Sequence, residues 1–155
     1  MPDELCNQIA AGVLTGPDDA RPLAPVRAWH DLRADVETIR IAYGEKEFRS
    51  ATGMELDPQP SLPKILLLRR ERPAAAAARR FWSVPEWAVR CLGGRPGSEW
   101  SLASRTGLLD VTAGTAWPGA IDLLGTDLLG ELHPAGADCG RATALPGAPG
   151  VAGAV

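Results

Sequence analysis

Glycine and proline cut this chain into short lengths: 17 glycines and 14 prolines are spread over 155 residues. Proline lacks an amide proton, and glycine loses the most backbone freedom on folding, so neither suits the interior of a helix or a central strand. Long helices and wide regular sheets are thereby excluded, and the apolar pattern has to be read between the breaks. From Asp57 to Pro63 three prolines bar a regular helix.

Between the breaks the pattern alternates. Gly12–Leu14 and Leu23–Trp29 are apolar, and Gly16-Pro17-Asp18-Asp19 between them is turn-rich, which predicts a hairpin. From Asp31 the period becomes helical: Leu32, Val36, Ile39 and Tyr43 share one face, with Asp31 as the expected N-cap and Gly44 as the stop. A short helix over Glu45–Ala51 follows, closed by Gly53. Lys64–Arg72 and the alanine-rich Ala74–Arg80 also favour helix. Phe81–Val84 reads as a short buried strand. Pro85 then opens a helix capped by Ser83 and stopped by Gly93-Gly94. Ser101–Thr106 is an expected helical turn, Leu108–Val111 an apolar segment, and Pro118–Leu124 a helix ended by Gly125. Short helices and short strands in alternation predict an α/β fold. The strands are too few and too short to close a sheet alone, so the chain reads as the helical flank of a larger domain.

Composition narrows the function. Apolar residues make up 45%, enough for a core. Sixteen basic and 19 acidic residues leave a net charge of −3, which argues against nucleic acid as a partner. Cys6, Cys91 and Cys139 are odd in number and widely spaced, so neither a disulfide framework nor a zinc site is expected. No apolar run reaches the roughly 18 residues of a membrane span. Met1–Gln8 carries two acids and no base, unlike a signal peptide. A cytoplasmic protein without a membrane partner is expected.

Self-sufficient catalytic motifs do not occur: there is no G-x-x-x-x-G-K-[ST] loop, no G-x-G-x-x-G and no H-E-x-x-H. His30 and His133 share no ligand spacing, so no metal site is expected. Trp29-His30-Asp31-Leu32-Arg33 is the densest mixture of useful side chains. An indole can stack on the C–H face of a sugar, and a carboxylate can accept its hydroxyl protons. The same residues also read structurally, with Trp29 in the core, Asp31 as a cap and Arg33 as an ion-pair partner. Ser101–Asp110 is a second polar cluster, in which Arg105 either fixes a loop or meets an anion.

These segments carry a resemblance. Ser101–Asp110 (SLASRTGLLD), followed by Trp117, resembles the "A-S-x-T-x-L-x-D" segment of FGGY carbohydrate kinases. Ala24–Ala34 (APVRAWHDLRA) is similar to that family's "P-x-x-x-W-x-D-x-R" stretch, and Gly12–Leu23 to its preceding hairpin. Thr52-Gly53 with Asp57-Pro58, Leu62–Arg69, and Phe81–Trp87 with Leu92-Gly93-Gly94 supply three more matches in order. Gln59 stands where some members carry a substrate-touching aromatic, and Leu67 or Leu68 replaces a usual tryptophan. The Ser83–Asp110 region looks closest to gluconate- and xylulose-type kinases.

The resemblance implies part of an actin-like, ribonuclease-H-like ATPase domain. Residues 12–141 would be a partial FGGY N-terminal domain, 1–11 an unassigned segment, and 142–155 an extended Gly/Ala/Pro-rich tail. It implies transfer of the γ-phosphoryl of Mg-ATP to a hydroxyl of a sugar, polyol or sugar acid, with an aspartate as base. The family's "D-x-G-T-[ST]" turn does not occur before Gly12, and its catalytic "G-x-x-D" falls beyond Val155. The expectation is a fragment that is inactive alone, with no catalytic, metal or cofactor residue, ATP and Mg2+ belonging to the parent kinase. Trp29 and Asp31 carry over as substrate-cleft residues. The alternatives are a non-catalytic sugar-binding or regulatory module, and one half of a split kinase completed by a second chain. Either way, the helix faces Leu32/Val36/Ile39 and Ile65/Leu68 are expected to lack cover.

Overall fold

The computed structural model describes residues 11–18 and 21–141, and the backbone of residues 152–154. Strand β1 (Gly12–Thr15) pairs antiparallel with β2 (Arg80–Ser83), Gly12 facing Ser83 and Thr15 facing Arg80. The hairpin expected at this point does not form. Leu23–Trp29 is not a strand; what remains is a bridge between Thr15 and Pro22 and one bond from the Leu23 amide to the Leu14 carbonyl, 2.9 Å. Pro22 and Pro25 have no amide proton with which to continue a ladder.

Helix α1 (Val36–Ala42) starts later than the periodicity suggests, and Asp35, not Asp31, is its cap, accepting from the Thr38 amide at 3.2 Å. The preceding residues are held elsewhere: the Asp35 amide donates to the Pro63 carbonyl at 2.9 Å. Gly44 ends α1 as expected, and the short second helix follows it. With a φ of 75° it turns the chain straight into α2 (Gly44–Thr52), which ends at Gly53 in the left-handed region.

Helix α3 (Ser61–Glu71) begins inside the proline-rich segment. Pro63 lies in its first turn, where a missing amide proton costs nothing. The alanine run forms only a 3-10 turn over Pro73–Ala77, with Ala75 and Ala78 buried. The Arg69 guanidinium gathers the carbonyls of Ala75, Ala76 and Leu124 and so ties this turn to α3. After β2, helix α4 (Val84–Cys91) opens with a capping box between Ser83 and Glu86. The short β3 (Ser98–Glu99) leads into α5 (Trp100–Ala103), capped by Glu99. β4 (Leu109–Asp110) pairs antiparallel with β5 (Thr115–Ala116), and α6 (Pro118–Leu124) ends at Gly125. β6 (Leu132–His133) runs parallel to β3, and β7 (Asp138–Arg141) pairs with β8 (Ala152–Ala154).

The described strands thus form four two-stranded sheets around a helical body, an α/β arrangement. Leu62, Ile65 and Leu68 of α3 join Ile39, Phe48, Leu108, Trp117, Leu124 and Leu128 in one core. Trp117 meets Phe48 and Tyr43 edge-on, with ring centroids 5.5 and 5.1 Å apart. The helix faces expected to lack cover are closed within the chain, Ile39, Ile65 and Leu68 being buried. Leu32 is the exception at 72% exposed, because it lies before α1 begins. Cys91 and Cys139 are free thiols; Cys6 lies outside the described residues, as does the tail apart from β8. Among the described residues no helix is long and apolar enough to cross a membrane.

Candidate functional site

Trp29 sits at the tip of a turn. The Asp31 amide donates to the Ala28 carbonyl at 3.0 Å, so residues 28–31 fold back and lift the indole outward. The ring is 40% exposed and meets His30 edge-on at 5.7 Å. Trp29 is therefore not a core residue, and Asp31 is not a helix cap. Of the purely structural reading, only the part that makes Arg33 an ion-pair partner holds.

Asp31 instead closes a second small turn by accepting from the Arg33 amide at 3.0 Å. Arg33 adds a two-point ion pair, with Nε at 2.9 Å and Nη2 at 2.7 Å. Arg27 reaches the same carboxylate at 3.4 Å and also pairs with Glu71 at the end of α3. Both oxygens of Asp31 are thereby engaged by cations. The Arg33 hydrogen bonds, and the charges of Arg33 and Arg27 behind them, hold its carboxyl well below the usual range. A carboxylate so stabilised stays ionised and orients its neighbours; it is a poor base.

Helix α3 is the backboard of this loop. At its C-terminal end Glu71 takes Arg27, and Arg70 pairs with Asp35 at 2.8 Å. At its N-terminal end Lys64 does more. Its residue is only 2% exposed, and its ammonium donates to the backbone carbonyls of Trp29 and Gln59, each at 2.9 Å. Burial pushes the Lys64 pKa down, with Asp31 and Asp57 opposing and Arg27 assisting that shift. Gln59 is exposed and stands on its own turn, its amide donating to Asp57 at 2.7 Å. So the Gln59 turn is brought beside the Trp29 turn.

Sequence reading missed Lys64 and Arg27. A trace of Lys64 was visible: one cation within the otherwise apolar Leu62-Pro63-Lys64-Ile65-Leu66. Arg27 left no comparable sign, because its side chain is buried only by the way residues 27–35 fold onto α3.

The second polar cluster does not join this site. Arg105 is exposed, while the neighbouring Thr106 is buried and donates to the Ala103 carbonyl at 2.6 Å. The Thr106 carbonyl accepts from the Leu62 amide at 2.8 Å, so this segment anchors the start of α3. His30 lies at the Trp29 turn and His133 in β6. An open groove of about 590 Å³ lies elsewhere, lined by Tyr43, Glu47, Asp110, Trp117 and Asp122 among others. Among its lining residues the Tyr43 hydroxyl donates to Asp122 at 2.7 Å and the Thr112 amide to Asp110 at 2.9 Å, and no residue of the Trp29 loop borders it. Among the described residues no group of three His, Cys, Asp or Glu side chains is placed to hold a metal ion.

Comparison with known proteins gives this arrangement a context. The chain is 34% identical over 154 residues to a glycerol kinase of Thermus brockianus, covering 92% of this chain and 31% of that protein. Among solved structures it is similar to a xylulose kinase from Rhodospirillum rubrum, with a TM-score of 0.74 at 23% identity over 90% of this chain and 31% of that one. It is also similar to a gluconate kinase from Lactobacillus acidophilus, with a TM-score of 0.75 at 20% identity over 86% and 28%. The Plasmodium falciparum glycerol kinase solved with ADP superposes with a TM-score of 0.77 at 20% identity over 88% and 29%. The chain thus spans less than a third of the length of these relatives. The model of the FGGY family of carbohydrate kinases, N-terminal domain, matches residues 5–146, and this chain therefore belongs to that family and shares its actin-like ATPase fold.

Proposed function

We propose that this chain forms the acceptor side of a carbohydrate kinase that moves the γ-phosphoryl of ATP to a hydroxyl of a sugar, polyol or sugar acid. Trp29 offers its exposed face to the C–H groups of the acceptor, and Asp31 with Arg33 frames the hydroxyls beside it. Gln59 borders the same space with an amide that donates and accepts. ATP and Mg2+ are held by parts of the kinase other than the described residues. The observation that carries this reading is the exposed Trp29 on a loop whose carboxylate, Asp31, is saturated by Arg27 and Arg33. Such a carboxylate binds and orients, and the base that deprotonates the acceptor is a different residue. Alone, the chain then recognises an acceptor without phosphorylating it.

Two assays on the pure chain test this. Trp fluorescence titrated with glycerol, D-xylulose and D-gluconate should respond to at least one, and the response should vanish in W29F. ATP consumption with each acceptor should stay at background. Turnover by the pure chain would overturn the division of labour; no response to any acceptor would overturn the site.

A further inference from the structure

We propose that Lys64 is a positioning residue for the acceptor site: its buried ammonium clamps the Trp29 turn against the Gln59 turn and sets the distance between the two walls. The inference rests on the reading of Trp29 as an acceptor-site residue.

The geometry is specific. Lys64 lies in the first turns of α3, and its stem runs under the loop rather than out to solvent. The two carbonyls it reaches belong to segments 30 residues apart in sequence, on turns that are each closed locally, one by Asp31 and Ala28, the other by Gln59 and Asp57. Each turn is therefore a small rigid unit, and Lys64 is a direct hydrogen-bonded link between them. Because both acceptors lie 2.9 Å from one nitrogen, the two backbones cannot separate without breaking a bond.

Lysine suits this task. An ammonium is a point donor with three protons, able to gather carbonyls from different directions. Burying it is unfavourable, and a well-packed apolar side chain of similar volume often serves stability as well or better. A buried cation that donates to main-chain carbonyls of two site-bearing turns is thus better explained by placement than by stability. Asp31 and Asp57 favour the charge from either side, and Arg27 opposes it. The charge is in this way tied to the same carboxylate that orders the Trp29 loop.

The test labels the full chain with 5-fluorotryptophan and follows its five tryptophan resonances, Trp29 being assigned by W29F. K64M should shift or broaden Trp29 alone, leaving the buried Trp82 and Trp117 unchanged, and should raise the half-saturating concentration of the bound acceptor about ten-fold. In the wild-type chain, acceptor titration should move the Lys64 ammonium resonance with the same half-saturation as Trp29; this measurement serves if K64M does not fold. A Trp29 that responds to acceptor while K64M matches wild type in both readouts, or a wild-type Lys64 resonance that ignores a bound acceptor, overturns the role of Lys64 and leaves the site intact. A Trp29 that ignores glycerol, D-xylulose and D-gluconate overturns the site itself, and the role of Lys64 with it.

Discussion

The carboxylate of Asp31 holds the guanidinium of Arg33 at two points, Nε at 2.9 Å and Nη2 at 2.7 Å, although the two residues are only two apart. The pair draws the chain into a tight turn and keeps Asp31 ionised well below its usual range. Its folded pKa lies below the unfolded value of about 3.9. The stabilisation is therefore complete above that value and is lost as pH falls below about 4 toward the folded pKa. Urea midpoints of wild type and D31N should differ by a constant amount above about pH 5 and converge below pH 4. Parallel curves down to pH 2 would contradict the pair as a stabilising element.

Trp29 separates binding from stability. Because its ring is 40% exposed, W29A should cost less than about 1 kcal/mol in urea unfolding. Loss of a stacking platform should weaken acceptor binding about ten-fold. Equal binding by W29A and wild type would remove the indole from the site.

What the sequence revealed, and what it concealed, divides along local and non-local physics. Ser83 before Pro85, and Gly125 after Leu124, are punctuation that acts within a few residues, and α4 and α6 begin and end as they predict. The apolar period runs ahead of the start of α1 because Leu32 continues it while its backbone is committed to the Asp31–Arg33 turn. Propensity favours helix for the alanine run, but Arg69 and the pairing of β2 with β1 leave it only a 3-10 turn. At the site, Trp29 and Asp31 stood out by residue type and by the family resemblance. Lys64 and Arg27 also depend on contacts made across the fold, 35 and 44 residues away.

Glu86 links two elements through one carboxylate. Oε2 accepts the Ser83 amide at 2.7 Å and Oε1 the Glu99 amide at 2.8 Å, so it caps α4 and also anchors the start of β3. E86A would leave both buried amides unpaired and should cost about 2–4 kcal/mol. E86Q keeps one acceptor oxygen and should lie between E86A and wild type. Equal stability of E86A and wild type in urea unfolding would show that water replaces both bonds.

Gly12 tests the β1–β2 pairing on which the loop region hangs. A Cβ built on Gly12 would lie 2.2 Å from Phe81 Cζ and 2.5 Å from the Trp82 carbonyl oxygen. The ring could swing away at some loss of packing, but the carbonyl belongs to the paired strand and can move only with it. G12A should therefore push β1 from β2, at a cost of about 1–3 kcal/mol, the range for overpacking a filled interior. The Trp82 indole, which donates to the Thr15 hydroxyl at 2.9 Å across the same pair, reports on the register. Its 5-fluorotryptophan resonance should shift in G12A. G16A is the control, since a Cβ on Gly16 meets nothing nearer than Asp18 Oδ1 at 3.7 Å. G16A should unfold as wild type does, and a G12A that also does so, with Trp82 unmoved, would mean that β1 yields freely where its pairing with β2 is tightest.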